Sequence, residues 1–289
     1  MRFATIVIND TEQAALACGD RWAPLHLLDE SLVGDLLALI EQQPDLHRLE
    51  NLRAAAESLS AELFIPAAEA VFRPPYRRPH KIWGIGLNYG DHAVDLHESA
   101  PDQPASFIKG DHTIIGPGDE IVLPHQSKRT TAEAELGLVI GRMARDVETK
   151  DALGNVFGVC AILDQTAEDI LAINPRYLTR AKNFPTFFSF GPEVVTLDEF
   201  LSQRDLSDVE VATVIDGRRG RRNRIGNMTH SPSKLVSFHS QMMPLSPGDL
   251  ISTGTPGAGV LEPGVMAEAH IDGLATLTNR VRAQEAPTR

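Results

Sequence analysis

Residues 132–141 read AEAELGLVIG. Ala134, Leu136, Leu138 and Ile140 alternate with Glu133, Glu135, Gly137 and Val139, the period-two pattern of a strand that turns one face to an apolar core. Glu133 and Glu135 therefore project from the same face. Two neighbouring carboxylates repel each other wherever the dielectric falls below that of water, so a half-buried strand carries them only if both are solvated or a cation bridges them. Spacing alone leaves both readings open: a solvent-facing polar strand surface, or part of a metal site.

The next apolar run, GVCAILD (158–164), has a buried-strand interior and ends on a third carboxylate, Asp164. Three carboxylates on neighbouring strands, with no His or Cys interleaved, suit a hard cation, Mg²⁺ or Mn²⁺, and not Zn²⁺. Further strands are expected at 81–88, 106–110, 120–124, 209–216, 249–254 and 268–277, with helices at 149–157 and 231–242. Many short strands punctuated by Gly and Pro argue for a β-rich sandwich or barrel and not for an alternating βαβ fold.

Upstream the texture differs. FATIVI (3–8) reads as a strand. Ser31 to Gln42 places Leu32, Leu36, Leu39 and Ile40 at helical spacing behind a Ser cap, and Leu46 to Leu59 repeats that spacing. FRPPYRRPH (72–80) follows as a stiff linker. The expected organisation is α+β: a small N-terminal α/β domain over 1–75 and a β-rich domain over 76–289.

Composition narrows the function. The 289 residues carry 27 Lys and Arg against 39 Asp and Glu, a net charge of −12, which disfavours nucleic acid and anionic membranes as partners. A site for an acidic metabolite must bring its own positive charge. Cys18 and Cys160 lie far apart and form no metal-binding or disulfide pattern, and neither a secretion signal nor a membrane-spanning apolar run is visible, so a cytoplasmic location is expected. Several familiar motifs fail. Gly84-Ile85-Gly86 is followed by Gly90, one position too far for a dinucleotide fingerprint; the glycines of 254–259 lack the Lys-Ser/Thr ending of a phosphate loop; no G-x-S-x-G or H-E-x-x-H occurs.

Several segments from Lys81 to Val281 together resemble the fumarylacetoacetate hydrolase superfamily, which includes acylpyruvate hydrolases and 2-hydroxyhepta-2,4-dienedioate isomerases. KIWGIGLNYGDH (81–92) is similar to its K-I-x-x-x-G-x-N-Y-x-x-H, SFIKG (106–110) to its F-x-K and AEAELGLVIG to its E-x-E-L-x-x-V-I-G. VFGVCAILDQTAEDI (156–170), Lys182 and GDLISTGTPGAGV (248–260) resemble its later segments in the same order. The resemblance implies a mixed β-sandwich roll as the catalytic domain, a metal on Glu133, Glu135 and Asp164, a small oxo-acid substrate and a homodimer. It also has departures. The family's H-x-x-E dyad is His92 to Asp95 here, with Glu98 three further on; its Arg-Asp pair has Glu168 in place of Arg; and the Gln of its N-G-E-x-x-Q hairpin falls at Arg221 within DGRRGRR (216–222).

Carried over residue by residue, the resemblance makes His92 a general base for an attacking water, oriented by Asp95 or Glu98. Lys182 becomes a second cation for the negative charge that develops when a carbon-carbon bond breaks. Lys109 is expected to contact the substrate or a carboxylate ligand. Thr253 and Thr255 are expected to donate to the substrate carboxylate, with a purely structural turn as the competing reading, and Arg221 is expected to meet an acidic group of the substrate. The implied activity is hydrolytic carbon-carbon cleavage of a 2,4-dioxo acid through a metal-bound enolate. Decarboxylation or keto-enol isomerisation, and an oxo-acid-binding protein without turnover, are the alternatives.

Overall fold

The computed structural model describes residues 1–90 and 101–285. Among these, the strands form two mixed sheets, neither of them closed. The larger sheet runs, edge to edge, through Ile65–Pro66, Arg21–Pro24, Thr11–Cys18, Arg2–Ile8, Phe188–Thr196, Val156–Ala167, Thr130–Ile140, Leu250–Ser252, Ile82–Gly86 and Ala105–Lys109. The smaller runs through Arg218–Arg224, Glu210–Ile215, Met266–Ile271, Leu277–Ala283 and Glu120–Leu123. The β-rich α+β class expected from the strand pattern is the class observed.

The alternation in 132–141 dictates how the sheets pack. Ala132, Ala134, Leu136, Leu138 and Ile140, with Val159, Ala161 and Leu163 of the next strand, are buried against Val211, Ala269, Ile271, Leu277 and Val281 of the smaller sheet. Each large aliphatic side chain so buried contributes about 2 kcal/mol. The opposite face changes character along its length. At one end Val139, Cys160 and Ile162 pack with Phe3, Leu16, Leu36, Leu39 and Leu52 of the N-terminal segment. At the other end the same face carries Glu133, Glu135 and Asp164. Gly137 lies between, and a Cβ there would stand 2.5 Å from Ile162 Cδ1 and 2.7 Å from Cys160 Sγ.

The N-terminal strands extend the larger sheet: Arg2–Ile8 pairs antiparallel with Phe188–Thr196, with Phe3 opposite Val194. Local differences from the expected elements have physical causes. The helix expected over 31–42 is reduced to Leu37–Ile40, because Gly34 adopts φ +100° and the Asp35 carboxylate accepts from Leu37 N at 3.1 Å. The helix Leu46–Glu57 forms as expected, capped by Asp45, whose side chain accepts from Arg48 N at 2.8 Å. Pro232–Met242 is helical too, capped by Ser231. The segment 149–157 contributes one 3₁₀ turn, Ala152–Asn155, before the strand begins at Val156. The single strand expected over 268–277 is broken by a turn at Gly273, φ +85°, into Met266–Ile271 and Leu277–Ala283. Cys18 and Cys160 are free thiols, and no described helix is long and apolar enough to cross a membrane.

Candidate active site

The two long central strands set the site. Glu133 and Asp164 are direct partners in the antiparallel register, and Glu135 stands opposite Ile162, so all three carboxylates share one face. One oxygen from each lies within 4.8 Å of the others, with Glu135 and Asp164 buried and Glu133 half-buried. The solvent-facing alternative for this face is thereby excluded.

Two buried lysines enter the same cluster. Lys182, the last residue of the short helix Leu178–Lys182, donates to Asp164 Oδ2 at 2.7 Å and to Glu133 Oε2 at 2.9 Å, and its ammonium lies 4.8 Å from the centre of the Phe107 ring. Lys109, at the end of the strand Ala105–Lys109, donates to Asp164 Oδ1 and to the Gln165 carbonyl. Of the two contacts expected of Lys109, the structure shows the carboxylate one. Its side chain is 0% exposed.

Glu135 is held by the turn that follows Leu250–Ser252. Its Oε2 accepts from Ser252 Oγ at 2.6 Å and from Gly254 N at 2.7 Å. Gly254 has φ +97°, and a Cβ on it would meet Asn88 Cβ at 2.8 Å, so the turn needs glycine there. Thr166 donates to Glu133 Oε1 at 3.0 Å. Neither Ser252 nor Thr166 was singled out from the sequence. A single hydroxyl has no periodicity, and only the strand register brings these two onto the carboxylates.

Electrostatics follow from burial and count. Burial pushes Glu135 up to about 8, with Asp164 adding to the rise. Burial alone would also raise Asp164, but Lys109 and Lys182 outweigh it and hold the carboxyl below the usual range. Burial brings Lys109 down to about 8 despite Asp164, whereas Asp164, Glu133 and Glu135 overcome burial at Lys182 and raise it. Three carboxylates against two ammonium groups leave −3 + 2 = −1 when all are charged. A buried, all-oxygen donor set with an excess negative charge fits a hard dication such as Mg²⁺ or Mn²⁺.

The remaining expected residues fall as follows. The hydroxyl protons of Thr253 and Thr255 go to the backbone carbonyls of Leu136 at 2.9 Å and Gly257 at 3.0 Å. These two bonds brace the turn beside the cluster. Arg221 belongs to the edge strand Arg218–Arg224, and a Cβ on Gly257 would stand 2.9 Å from Arg221 Cβ. Gly257 precedes Ala258, the register partner of Glu133, so Arg221 lies against the loop bordering the cluster. Arg219 and Arg222 instead reach Glu210 at 3.4 Å, and Arg224 reaches Asp208 at 3.2 Å. Glu168 pairs with Arg129, at the head of the neighbouring strand, so its reversed charge is compensated locally. His92, Asp95 and Glu98 lie outside the described residues. The chain just before them is anchored by Asn88, which donates to the carbonyls of His230 at 3.0 Å and Thr253 at 2.8 Å.

Comparison with known proteins agrees with this architecture. Residues 81–282 match the family model described as fumarylacetoacetate (FAA) hydrolase C-terminal. The chain is 31% identical over 267 residues to a mitochondrial oxaloacetate tautomerase of Homo sapiens, covering 89% of this chain and 82% of the relative. It is similar to the crystal structure of maleylpyruvate hydrolase from Sphingobium sp. SYK-6 in complex with manganese(II) and pyruvate, with TM-score 0.81, 26% identity and coverage of 99% of this chain and 100% of the other. It is also similar to 2-hydroxyhepta-2,4-diene-1,7-dioate isomerase from Mycobacterium marinum, with TM-score 0.76, 28% identity and coverage of 99% and 100%.

Proposed function

The chain belongs to the fumarylacetoacetate hydrolase family, and from that premise we propose that it is a divalent-cation-dependent hydrolase that cleaves a carbon-carbon bond of a 2,4-dioxo acid. The observation that carries this reading is the convergence of Glu133, Glu135 and Asp164 within 4.8 Å on one buried strand face. Those three residues would hold Mg²⁺ or Mn²⁺. When bound, the cation would supply Lewis-acid chemistry that favours the enolate of a 2-oxo acid, and added to the −1 of the fully ionised cluster it would leave +1, a match for a carboxylate anion.

The chain's own residues do the rest. Lys182, fixed by two carboxylates, presents an ammonium beside the cluster where negative charge develops as the bond between C3 and C4 breaks. His92 takes a proton from the water that attacks the C4 carbonyl, and Asp95 or Glu98 orients its ring. Arg221 meets an acidic group at the substrate's far end. Thr253 and Thr255 shape the loop that borders the site, and Lys109 keeps Asp164 ionised. The products are a 2-oxo acid and a carboxylic acid. The exposed apolar side chains of Ile108, Ile173 and Tyr177, on adjacent elements beside Lys182, support a homodimer, and the two unpaired cysteines support a reducing compartment such as the cytoplasm.

Incubation with Mg²⁺ and a panel of acylpyruvates, fumarylacetoacetate-type diketones and oxaloacetate tests this. Loss of enol absorbance with release of a 2-oxo acid and a carboxylic acid is expected. A second reading, keto-enol tautomerisation of oxaloacetate, is favoured by the human relative that matches 89% of this chain. Accelerated enol-keto exchange of oxaloacetate with no cleavage product from any dioxo acid would replace the first reading by the second.

A further inference from the structure

The hydrogen bonds around the carboxylate cluster are unequally distributed. Glu133 gives Oε1 to Thr166 and Oε2 to Lys182, and Asp164 gives one oxygen to each lysine. Glu135 differs: both of its donors, Ser252 Oγ at 2.6 Å and Gly254 N at 2.7 Å, converge on Oε2, and Oε1 has no donor among the described residues. A carboxylate that accepts two hydrogen bonds on one oxygen has its rotation fixed, which also fixes where the other oxygen points. Ser252 is 0% exposed and Thr166 2% exposed, so neither hydroxyl is a surface group that meets Glu135 or Glu133 by chance.

We propose that Ser252 and Thr166 are positioning residues for the cation site, Ser252 selecting the oxygen of Glu135 that faces the cation and Thr166 orienting Glu133. This rests on the reading of Glu133, Glu135 and Asp164 as cation ligands. Neither residue touches the cation or the substrate; each acts through the carboxylate it bonds. Groups that orient metal ligands in this way are worth 10- to 100-fold in metal affinity. Loss of the Ser252 hydroxyl leaves Glu135 with one donor, from the Gly254 amide, and frees the carboxylate to turn. Loss of the Thr166 hydroxyl leaves Glu133 to follow Lys182.

The test titrates Mn²⁺ into the full-length protein, with free Mn²⁺ followed by electron paramagnetic resonance, for wild type, Ser252→Ala and Thr166→Val. Ser189→Ala serves as the control, since Ser189 is a fully buried hydroxyl on a neighbouring strand with no partner among the described residues. Ser252→Ala and Thr166→Val are each expected to raise the Mn²⁺ dissociation constant about 10-fold or more, while Ser189→Ala keeps the wild-type value. Melting temperatures without metal should change little in all three, a result that a merely structural role would not give. Wild-type Mn²⁺ affinity in both variants overturns the inference and leaves the ligand assignment standing. A wild-type protein that binds no Mn²⁺ overturns both. If Ser252→Ala does not fold, Thr166→Val decides alone.

Discussion

Lys182 bonds two of the three carboxylates, and under the proposed function it also meets the negative charge that develops on the substrate. Lys182→Met removes one positive charge from beside the carboxylates. Mn²⁺ should therefore bind at least as tightly as in the wild type, while kcat falls about 100-fold or more because a preorganised donor to the developing charge is gone. Paired titration and steady-state kinetics check this, and equal loss of both would mean that Lys182 only builds the site. A second residue governs stability. Burial lowers the pKa of His239 below its ordinary value of 6.5, and its Nδ1 donates to the Leu235 carbonyl at 2.8 Å while its ring packs 4.8 Å from that of Trp83. The folded state binds this proton less readily than the unfolded chain. The stability tied to a neutral His239 is thus fully present above about pH 6.5 and declines as the pH falls below it. Thermal melts from pH 8 to pH 5 should show a steeper decline for wild type than for His239→Gln. The carboxylates were legible because a strand alternates faces, and Glu133, Glu135 and the neighbouring Asp164 inherit that regularity. Ser252 and Thr166 were not, because they join the site through register alone.

At the scale of elements, the strand Thr130–Ile140 was readable from its alternation and Val156–Ala167 from a continuous apolar run too short for a buried helix and rich in β-branched residues. Phe188–Thr196 was missed: Gly191-Pro192 reads as a turn in FFSFGPEVVT, yet a shift in register between Val159 and Ala161 of the partner strand accommodates it. The hairpin Thr11–Cys18 and Arg21–Pro24 was missed as well, its alternation being diluted by alanine. Expected helices shrank where a positive-φ glycine or a side-chain bond to the backbone competed locally. The pairing of Ile82–Gly86 with Ala105–Lys109 carries its own prediction. A Cβ on Gly84 would lie 2.2 Å from Phe107 Cζ, and Phe107 is the ring under Lys182. Gly84→Ala should cost about 2 kcal/mol of stability through overpacking and should also lower kcat, measured by denaturant unfolding and kinetics on the same preparation. Lost stability with an unchanged kcat would separate Phe107 from the placement of Lys182.

For the whole molecule, the net charge of −12 argued against acidic ligands, yet two lysines are buried among the carboxylates and Arg218–Arg224 lines one sheet edge. Net charge is silent on such local order. The N-terminal segment shows the same limit of a linear reading, since partners nearly 200 positions apart, Phe3 and Val194, leave no local trace of their pairing. Val194, Phe190 and Phe157 share a core with Phe3, Leu16 and Leu39. A fragment of residues 76–289 should consequently be insoluble or unfold without a cooperative transition; a soluble fragment with a sharp melt would show that 1–75 is dispensable to the fold. The central claim is that Glu133, Glu135 and Asp164 form one cation site on which catalysis depends. Its most direct test is Mn²⁺ binding by isothermal titration calorimetry to wild type and to Glu135→Ala. One ion per chain for the wild type, and none for Glu135→Ala, is the predicted result; no binding to the wild type, or wild-type affinity in the variant, would contradict it.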